Sequence, residues 1–334
     1  MRVGLSYDLK NAVATQDGAA IDALEEYDSV ETIEIIRRAL EDAGHTVYAL
    51  GGGPEFLTSV LKQPVDIVFN IAEGRGSYRS REAQVPGLLE MMGIPYTGSD
   101  PQTLAICLDK PLAKKLVSLE GVPTPEWRLF RQKTDVSEGE LEGFSYPAIV
   151  KPSWEGSSKG IHATSFVDTC ADAYEEIANQ LCTYRQPVMI EEFVTGDEIT
   201  VGILGNRDPA FAGIMRILPR IQTENFVYSL EVKRDWERLV RYECPAEIAS
   251  DTMSLINEYS LRVYQALGCR DFSRVDFRVS PDGTPYFLEI NPLPGLGTYS
   301  DLIIMALQLG RSHEGIITAV LDAALERYPQ LVCV

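Results

Sequence analysis

Hydrophobic positions in the first hundred residues follow two alternating patterns. Short apolar runs in the segments RVGLSY, HTVYAL, VDIVFNIA and IPYTGS are typical of strands. Between them, apolar residues recur at helical spacing from Val30 to Leu40, ahead of Gly44, and the segment EAQVPGLLEMMG predicts a helix that ends at Gly93. Strands that alternate with helices predict a parallel sheet with right-handed crossovers, and therefore an α/β fold.

The pattern changes beyond residue 100. The segment DPQTLAICLDKPLAKKLVSLEG predicts a helical stretch, and YPAIVKPS and PVMIEEFV predict strands on either side of a helix, DTCADAYEEIANQLC. Two antiparallel-type strands, DEITVGILGN and AFAGIMRIL, come next, and a long helix from about Ala246 to Leu267 precedes a hairpin and the final helices. These changes predict three units: 1–99, 100–195 and 196–334.

The hairpin, SRVDFRVSPDGTPYFLEINPLPG, places charged side chains among apolar ones. Residues alternate along each predicted strand, so each strand has one apolar face. In the first strand Val275, Phe277 and Val279 alternate with Arg274, Asp276 and Arg278. In the second strand Tyr286, Leu288 and Ile290 alternate with Phe287, Glu289 and Asn291. A turn that closes symmetrically about Asp282 and Gly283 would place Asp276 opposite Glu289, and Arg274 opposite Asn291.

Two opposed carboxylates repel each other, so this predicted pairing needs a compensating charge. Carboxylate and amide oxygens are the ligands that Mg²⁺ prefers, and a bound divalent cation would offset the repulsion. The alternative is an ordinary solvated face on which Arg274 neutralises one of the acids. The hairpin by itself does not separate the two interpretations.

Composition narrows the classes of function. The 334 residues include 30 Lys and Arg and 49 Asp and Glu. The resulting net charge of −19 argues against nucleic acid or an anionic membrane as partner. The chain has no apolar run of membrane-spanning length, and its first residues become charged too early for a signal peptide, so we expect a cytoplasmic protein. The six cysteines include no C-x-x-C pair and are expected to be reduced. The three histidines predict neither a zinc site nor a Ser-His-Asp triad.

Several further segments place charged groups where an anion or a nucleotide would fit. In VKPSWEGSSKG, Lys151 ends a strand before a loop rich in Gly and Ser, whose N–H groups favour an anion; a flexible turn is the alternative. Lys110 stands at a predicted helix start, where a cation is unfavourable to the helix dipole unless an anion lies nearby. The acids of IEEFVTGDE and the basic residues of SLEVKRD are equally compatible with solvated surface.

Taken together, these segments resemble those of ATP-grasp carboxylate–amine ligases, and within that superfamily those of D-alanine–D-alanine ligases. The matching segments extend from about Val68 to Ala306 and include GLLEMMGIPYTGSDPQTLAICLDK, IVKPSWEGSSKG, IEEFVTGDEITVGILG, EVK, CPAEI, LGCRDFSRVDF and FLEINPLPGL. The resemblance implies an ATP-grasp fold, with a Rossmann-like N-terminal domain and two α+β subdomains that clasp ATP, the last of which carries the metal site.

The resemblance also implies a role for each matching residue. ATP would be contacted by Lys110, Lys151, Ser157, Glu191, Glu192, Val194, Glu198 and Lys233. Two Mg²⁺ ions, or Mn²⁺, would be held by Asp276, Glu289 and Asn291. The substrate carboxylate and its oxyanion would be bound by Arg274, the Gly295 backbone and Ser300, with Arg234 beside them, and the catalytic residues would be Arg274, Ser157 and Lys233.

The implied reaction is the formation of an amide through an acyl phosphate. A substrate carboxylate attacks the γ-phosphate of ATP, and the amine of a second substrate then displaces phosphate. Amino acids or peptides are the expected substrates, and a homodimer is the expected assembly. Water must be excluded from the acyl phosphate, and the segments SWEGSSKG and LEVKRDWERL are the expected lids. We also expect Lys151→Met and Lys233→Met to weaken nucleotide binding or turnover with little change in melting temperature.

Three departures from the family pattern concern the amino-acid end of the site. The chain has GLSYDLKNA where a Gly-Gly-x-Ser-x-Glu turn is usual, and neither Glu25 nor Glu26 takes that glutamate's role from sequence. Arg234 replaces a usual Tyr, and Glu73 stands where His-Gly is common, in a longer loop with three arginines. These changes favour an acidic or larger substrate and predict that a D-alanine pair is not the best one. Alternatively, Arg234 pairs with Asp235 or Glu231 and leaves the pocket open, or faces solvent while D-alanine still fits.

Three functions are therefore compared. The first is an ATP-dependent ligase that joins two amino acids, D-alanine or relatives. The second is an ATP-grasp ligase for a different amino acid, dipeptide or biosynthetic acid. The third is a non-catalytic nucleotide-binding protein, which the complete set of predicted ATP and metal residues argues against.

Overall fold

Three β-sheets form the framework of the protein. The computed structural model describes residues 1–13, 18–137, 139–221, 223 and 225–331. Within these ranges the strands are β1 (Arg2–Ser6), β2 (Thr46–Ala49), β3 (Ile67–Asn70), β4 (Trp127–Phe130), β5 (Ala148–Pro152), β6 (Phe166–Val167), β7 (Val188–Glu192), β8 (Asp197–Leu204), β9 (Ala210–Pro219), β10 (Val240–Glu243), β11 (Phe272–Val279) and β12 (Pro285–Asn291).

Helices cover the sheets and connect them. They are α1 (Val30–Asp42), α2 (Gly53–Lys62), α3 (Gln84–Met92), α4 (Pro101–Leu108), α5 (Lys110–Leu119), α6 (Cys170–Tyr184), α7 (Leu230–Arg234), α8 (Trp236–Leu239), α9 (Ser250–Ala266), α10 (Asp301–Gln308) and α11 (His313–Arg327). None of the helices in the described ranges has the length and apolar character needed to cross a membrane.

The first sheet is parallel, in the order β2-β1-β3, and confirms the predicted α/β pattern. The helices α1 and α3 lie where the sequence predicts them, and Gly93 ends α3 with a positive φ of 66°. The strand predicted at IPYTGS is wrong, because only Tyr96 pairs with β3 there. Pro95 has no N–H to extend the ladder, and Gly98 turns the chain away with a φ of 90°.

The second and third sheets are antiparallel and carry most of the predicted site residues. The second sheet has the order β4-β7-β5-β6, and the third has the order β10-β9-β8-β11-β12. The helices α10 and α11 lead back to the first sheet, where Ile316 and Val320 share a core with Val3 and Leu5. The third predicted unit therefore packs against the first one, and the unit boundaries stay a prediction.

The predicted helical stretch after residue 100 is divided into two helices. Asp109 ends α4 and caps α5, because its side chain accepts a hydrogen bond from the Leu112 N–H. This division places Lys110 at the first position of α5, as the sequence predicts. Farther along, the segment SLEVKRD is the short helix α7, which Ser229 caps by accepting a hydrogen bond from the Val232 N–H.

The hairpin of β11 and β12 has the predicted pairing at its functional end. Asp276 lies opposite Glu289, and Arg274 lies opposite Asn291. Nearer the turn, Phe277 pairs with Phe287, so Leu288 is an extra residue in a β-bulge.

This bulge changes the face on which one predicted residue lies. The sequence places Phe287 with Glu289 on the polar face, and that expectation is wrong. Phe287 is fully buried and packs edge-on against Phe277, with 6.2 Å between the ring centroids. The bulge separates an apolar half near the turn from a polar half near the site.

Candidate active site

Residues from the start of α5 meet the end of the third sheet. The Lys110 ammonium lies 3.0 Å from Glu289 Oε2, and the Lys114 ammonium donates a hydrogen bond of 3.0 Å to the Phe287 carbonyl. Lys110 and Lys114 are one helical turn apart, so they present their side chains on the same face of α5. A lysine predicted to bind phosphate is thereby placed against a carboxylate predicted to bind metal.

Glu191 on β7 is held between two buried lysines. Its carboxylate lies 2.5 Å from Lys114 Nζ and 2.9 Å from Lys151 Nζ. Burial by itself would raise the pKa of Glu191, but the two ammonium groups outweigh it and lower that pKa. Complete burial lowers the pKa of Lys114 to about 8. We call Lys110, Lys114, Lys151, Glu191 and Glu289 the lysine cluster.

Lys114 is a member of this cluster that the sequence reasoning missed. Its side chain is 0% exposed, and the signal for it was the spacing of four residues from Lys110 in KPLAKK. The neighbouring backbone of Glu192 and Val194, predicted to meet adenine, continues directly from Glu191 along the exit of β7.

Three oxygen-bearing side chains lie along the paired ends of β11 and β12. Asp276 accepts a hydrogen bond of 2.5 Å from the Thr200 hydroxyl and further bonds from the Arg274 guanidinium. Burial raises the pKa of Asp276 in spite of Arg274. Burial acts in the same direction on Glu289, but Lys110, Lys151 and Arg274 outweigh it and lower the pKa of Glu289 to about 2. The opposed carboxylates therefore ionise at different pH.

The donor set of this hairpin fits a magnesium ion that also binds phosphate. No group of three His, Cys, Asp or Glu side chains is placed to hold a metal in the part of the chain that the structure describes. Two carboxylates and the Asn291 amide are instead available, and the amide oxygen already accepts a hydrogen bond from the Leu293 N–H. Mg²⁺ is commonly bound by one or two carboxylates together with substrate phosphates, which matches this set.

Glu198 lies on β8, close to the same acids. Its carboxylate is 3.3 Å from the guanidinium of Arg278, which also donates to the Phe226 and Gly196 carbonyls and covers the Phe193 ring. Burial raises the pKa of Glu198 to about 7, with smaller contributions from neighbouring acids, although Arg278 opposes the change. Glu198, predicted to bind the ribose, thus titrates near neutral pH.

The loop that follows Lys151 is bound by a segment of the N-terminal unit. Ser157 and Ser158 have positive φ angles of 50° and 59°, an uncommon conformation for residues other than glycine. The Gly156 N–H donates to Glu26 at 2.6 Å, and the Gly160 N–H donates to Asp22 at 2.8 Å. Two of the loop N–H groups therefore bind carboxylates from residues 18–28, which we call the N-terminal segment.

Glu26 is the centre of a buried charge network. The Arg81 guanidinium donates to it at 2.7 Å, and the Lys159 ammonium lies 3.3 Å away. Arg81 also donates to the Trp154 carbonyl and contacts Glu155. Burial would raise the pKa of Glu26, but Arg81 and Lys159 lower it to about 2. Glu26 therefore joins the N-terminal unit to the Gly/Ser loop.

The short helix α7 places Lys233 and Arg234 in different surroundings. Lys233 is half-buried, and burial lowers its pKa, although Asp301 and Asp276 oppose that change. The Arg234 guanidinium, 47% exposed at its side chain, lies 2.7 Å from Glu25. The partner of Arg234 is therefore Glu25, and the pairings expected with Asp235 or Glu231 are wrong.

The second predicted lid contacts the two residues that directly follow the loop of the first one. The Leu230 N–H at the start of α7 donates to the Ile161 carbonyl at 2.9 Å, and His162 lies 2.7 Å from Glu231. The arginines in the long loop of the first unit are also paired: Arg75 with Asp8 at 2.5 Å, Arg79 with Asp109 at 4.0 Å, and Arg81 with Glu26. These acidic partners weaken the case for an acidic substrate.

Arg274 lies among three acids at the end of the hairpin. Its guanidinium is 2.8 Å from Asp276, 3.1 Å from Asp301 and 3.9 Å from Glu289. Gly295 and Ser300 follow in the next loop, and a Cβ at Gly295 would lie 2.9 Å from Ser300 Oγ. The residues predicted to bind the substrate carboxylate thus lie next to those predicted to bind metal. Asp301, which was not predicted from the sequence, lies beside them.

Comparisons with known proteins give the family. Residues 116–322 match the family model for the D-ala D-ala ligase C-terminus. A D-alanine–D-alanine ligase of Aquifex aeolicus is 34% identical over 295 residues, which cover 88% of this chain and 94% of that protein. The uncharacterized protein y4sG of Sinorhizobium fredii is 33% identical over 307 residues, with 87% of this chain and 86% of that protein covered.

A solved structure confirms the fold. The crystal structure of D-alanine–D-alanine ligase from Bacillus anthracis complexed with ATP superposes with a TM-score of 0.76, at 23% identity, over 99% of both chains. Its ATP-grasp fold agrees with the sheets described above. The chain belongs to the D-alanine–D-alanine ligase family and is an ATP-dependent carboxylate–amine ligase with an ATP-grasp fold.

Proposed function

We propose that this enzyme joins two amino acids, or an amino acid and a peptide, through an acyl phosphate. The observation that carries the proposal is the contact of 3.0 Å between Lys110 and Glu289, because it unites a predicted phosphate ligand with a predicted metal ligand. D-alanine is the substrate named for the relatives, and the departures in the N-terminal segment and at Arg234 predict a different preferred pair here.

Three lysines would bind the phosphates of the nucleotide. Lys110 and Lys151 would contact the α- and β-phosphates, and Lys233 would contact the terminal phosphate. Lys110 and Lys151 are each held by an acid, Glu289 or Glu191, so their ammonium groups are positioned before ATP arrives. Such preorganised charge lowers the cost of stabilising a transferring phosphoryl group.

The remaining nucleotide contacts would come from the second sheet and the Gly/Ser loop. Glu191 and the backbone of Glu192 and Val194 would meet the adenine, and Glu198 would accept hydrogen bonds from the ribose. Ser157, which lies in the Gly/Ser loop with a positive φ of 50°, would bind the phosphates. The N–H groups that Asp22 and Glu26 bind would stabilise the loop rather than the nucleotide.

Asp276, Glu289 and Asn291 would hold Mg²⁺, or Mn²⁺, together with the phosphates. Bound Mg²⁺ would neutralise part of the phosphate charge while the carboxylate of the first substrate attacks. Arg274 and the Gly295 N–H would stabilise the oxyanion that forms when the amine of the second substrate attacks the acyl phosphate. Ser300 would bind a carboxylate oxygen of the substrate beside them. Arg234 would border the same pocket through its pair with Glu25.

Contacts between the start of the second predicted lid and residues in and beside the first one support this chemistry, because an acyl phosphate is hydrolysed if water reaches it. The contacts of residues 228–231 with Ser158, Ile161 and His162 would exclude water during the second step. A cytoplasmic location and a homodimer remain predictions of the sequence.

A panel of amino acids tests the proposed substrates. Release of phosphate from ATP is measured for all pairs of D- and L-amino acids and dipeptides, and each product is identified by mass. We expect at least one pair to give an amide, with ADP and phosphate in equal amounts. A preference for D-alanyl-D-alanine of about a hundredfold in kcat/KM would contradict the predicted change in substrate, since such ratios are within reach of one well-built subsite.

A further inference from the structure

Asp301 is a buried acid at the substrate end of the site to which no role has been given. It is the first residue of α10 and follows Ser300 directly. Its side chain is only 5% exposed, and Oδ2 lies 3.1 Å from the guanidinium of Arg274. An acid in the first turn of a helix is favourable to the helix dipole, but that effect does not require the acid to be buried.

The second oxygen of Asp301 lacks a partner. Oδ1 is buried and makes no hydrogen bond with any of the residues that the structure describes. Leaving a buried carboxylate oxygen unbonded is costly, and native proteins seldom do so without a ligand or a functional reason. Lys233 is the other cation nearby, but no salt bridge within 4.0 Å joins it to Asp301. A donor group of a bound substrate would satisfy this oxygen.

The charges around Arg274 indicate which kind of donor fits. Asp276 and Glu289 are both assigned to the metal, so Asp301 is left as the counter-ion of Arg274. A second substrate carboxylate placed here would approach Asp301 as a like charge. A protonated amine would satisfy Oδ1 and would be attracted by Asp301.

Two tyrosines give the neighbourhood an aromatic side. The hydroxyls of Tyr228 and Tyr242 are hydrogen-bonded to each other at 2.6 Å. Both tyrosines pack against the core cluster that contains Ile304 and Met305 of α10, the helix that Asp301 begins. Burial raises the pKa of both phenols, and the negative charge of Asp301 adds to that increase. Aromatic rings in the neighbourhood of an acid are favourable surroundings for an ammonium group.

We propose that Asp301 binds a protonated second amino group of the acceptor substrate, so that the preferred acceptor is a diamino acid. The inference rests on the proposed function, because it names the substrate class of the same site. Asp301 acts as a specificity-determining residue: its free oxygen accepts from the side-chain ammonium, while the α-amine of the acceptor attacks the acyl phosphate.

Acceptors matched in length test this assignment. The donor that gives the fastest phosphate release is kept constant, and kcat/KM is measured for 2,4-diaminobutyrate against norvaline and for ornithine against norleucine, in both chiralities. We expect the diamino acceptor to be preferred at least about tenfold in one pair. The variant Asp301→Asn keeps the size of the side chain and should abolish that preference, because kcat/KM should fall more for the diamino acceptors than for the neutral ones. Asp322→Asn, an exposed change on α11, is the control.

Other outcomes overturn the proposal. If the wild-type enzyme prefers neutral or acidic acceptors, or if Asp301→Asn lowers kcat for all acceptors by the same factor, Asp301 only positions Arg274. If no acceptor gives an amide in the wild-type enzyme, the proposed function itself fails, and that result is distinct from the loss of a preference in an active ligase.

Discussion

Asp276 lies directly opposite Glu289 across β11 and β12, although the turn between these strands is not symmetrical about Asp282 and Gly283. The extra residue at Leu288 shifts the register by one position between the site and the turn. Both carboxylates therefore remain on the polar face, while Phe287 moves into the core. The metal-binding role proposed for the pair depends on this local irregularity.

Glu289→Gln tests that role. The substitution keeps the size of the side chain and removes the charge that faces Lys110, so we expect the fold to persist and turnover to fall by about a hundredfold. Steady-state ADP formation is measured at saturating Mg²⁺, with Glu258→Gln on the exposed face of α9 as the control. Activity equal to that of the wild-type enzyme would show that Glu289 does not bind the metal.

Lys233→Met and Lys151→Met should affect folding differently, and the burial of Lys151 revises the expectation from the sequence that neither change alters the melting temperature much. Both changes should weaken ATP binding or turnover, but Lys151 is buried against Glu191, and the loss of one partner of a buried pair costs about 3–5 kcal/mol. Lys233 has no acid within 4.0 Å among the described residues, so its replacement should leave the melting temperature nearly unchanged. Thermal melts and ATP titrations separate these effects, and equal melting temperatures for the two variants would refute the distinction.

The pH dependence of stability tests the surroundings of Glu198. Its pKa is raised from 4.5 in the unfolded chain to about 7 in the folded one, so the folded state binds more protons between these values. Stability therefore falls as the pH rises through that window, by up to about 3 kcal/mol. Glu198→Gln resembles the protonated form and should match the wild-type melting temperature at pH 5 but exceed it at pH 8. A difference that does not change with pH would exclude a raised pKa.

The adjacent residues Glu25 and Glu26 form a matched pair of tests for the Gly/Ser loop. Glu26→Gln weakens a buried network with Arg81 and Lys159 and should cost about 3–5 kcal/mol. Glu25→Gln breaks a half-exposed pair with Arg234 and should cost about 0–1 kcal/mol. Hydrogen exchange should speed up at residues 153–160 in the first variant only. Equal exchange in both variants would mean that Glu26 does not hold the loop.

The sequence predicted much of the fold because its periodic patterns are local. Apolar spacing located α1, α3 and α9, and strand alternation located β11 and β12. Pairing of Asp276 with Glu289 was also predicted, although the assumed turn was not the observed one, and the bulge restored the register. The strand at IPYTGS failed because a single proline and a glycine limit the ladder there.

Contacts between distant parts of the chain could not be predicted from the sequence. Glu26 and Arg81 come from separate loops, and only the fold brings them to Gly156. Asp301 carries no local signal, since an acid at a helix start is ordinary, and its burial against Arg274 follows from the way α10 packs. The partner of Arg234 was equally hidden, because Glu25 is 209 positions away in the chain.

Transfer of an oxygen isotope tests the acyl phosphate most directly. The donor amino acid is labelled with ¹⁸O in its carboxylate, and the phosphate released with MgATP and the best acceptor is analysed by mass. The carboxylate oxygen that attacks the γ-phosphate stays on phosphorus when the amine displaces phosphate, so one ¹⁸O atom should appear in each phosphate released during amide formation. Unlabelled phosphate, or AMP in place of ADP, would contradict a reaction through an acyl phosphate.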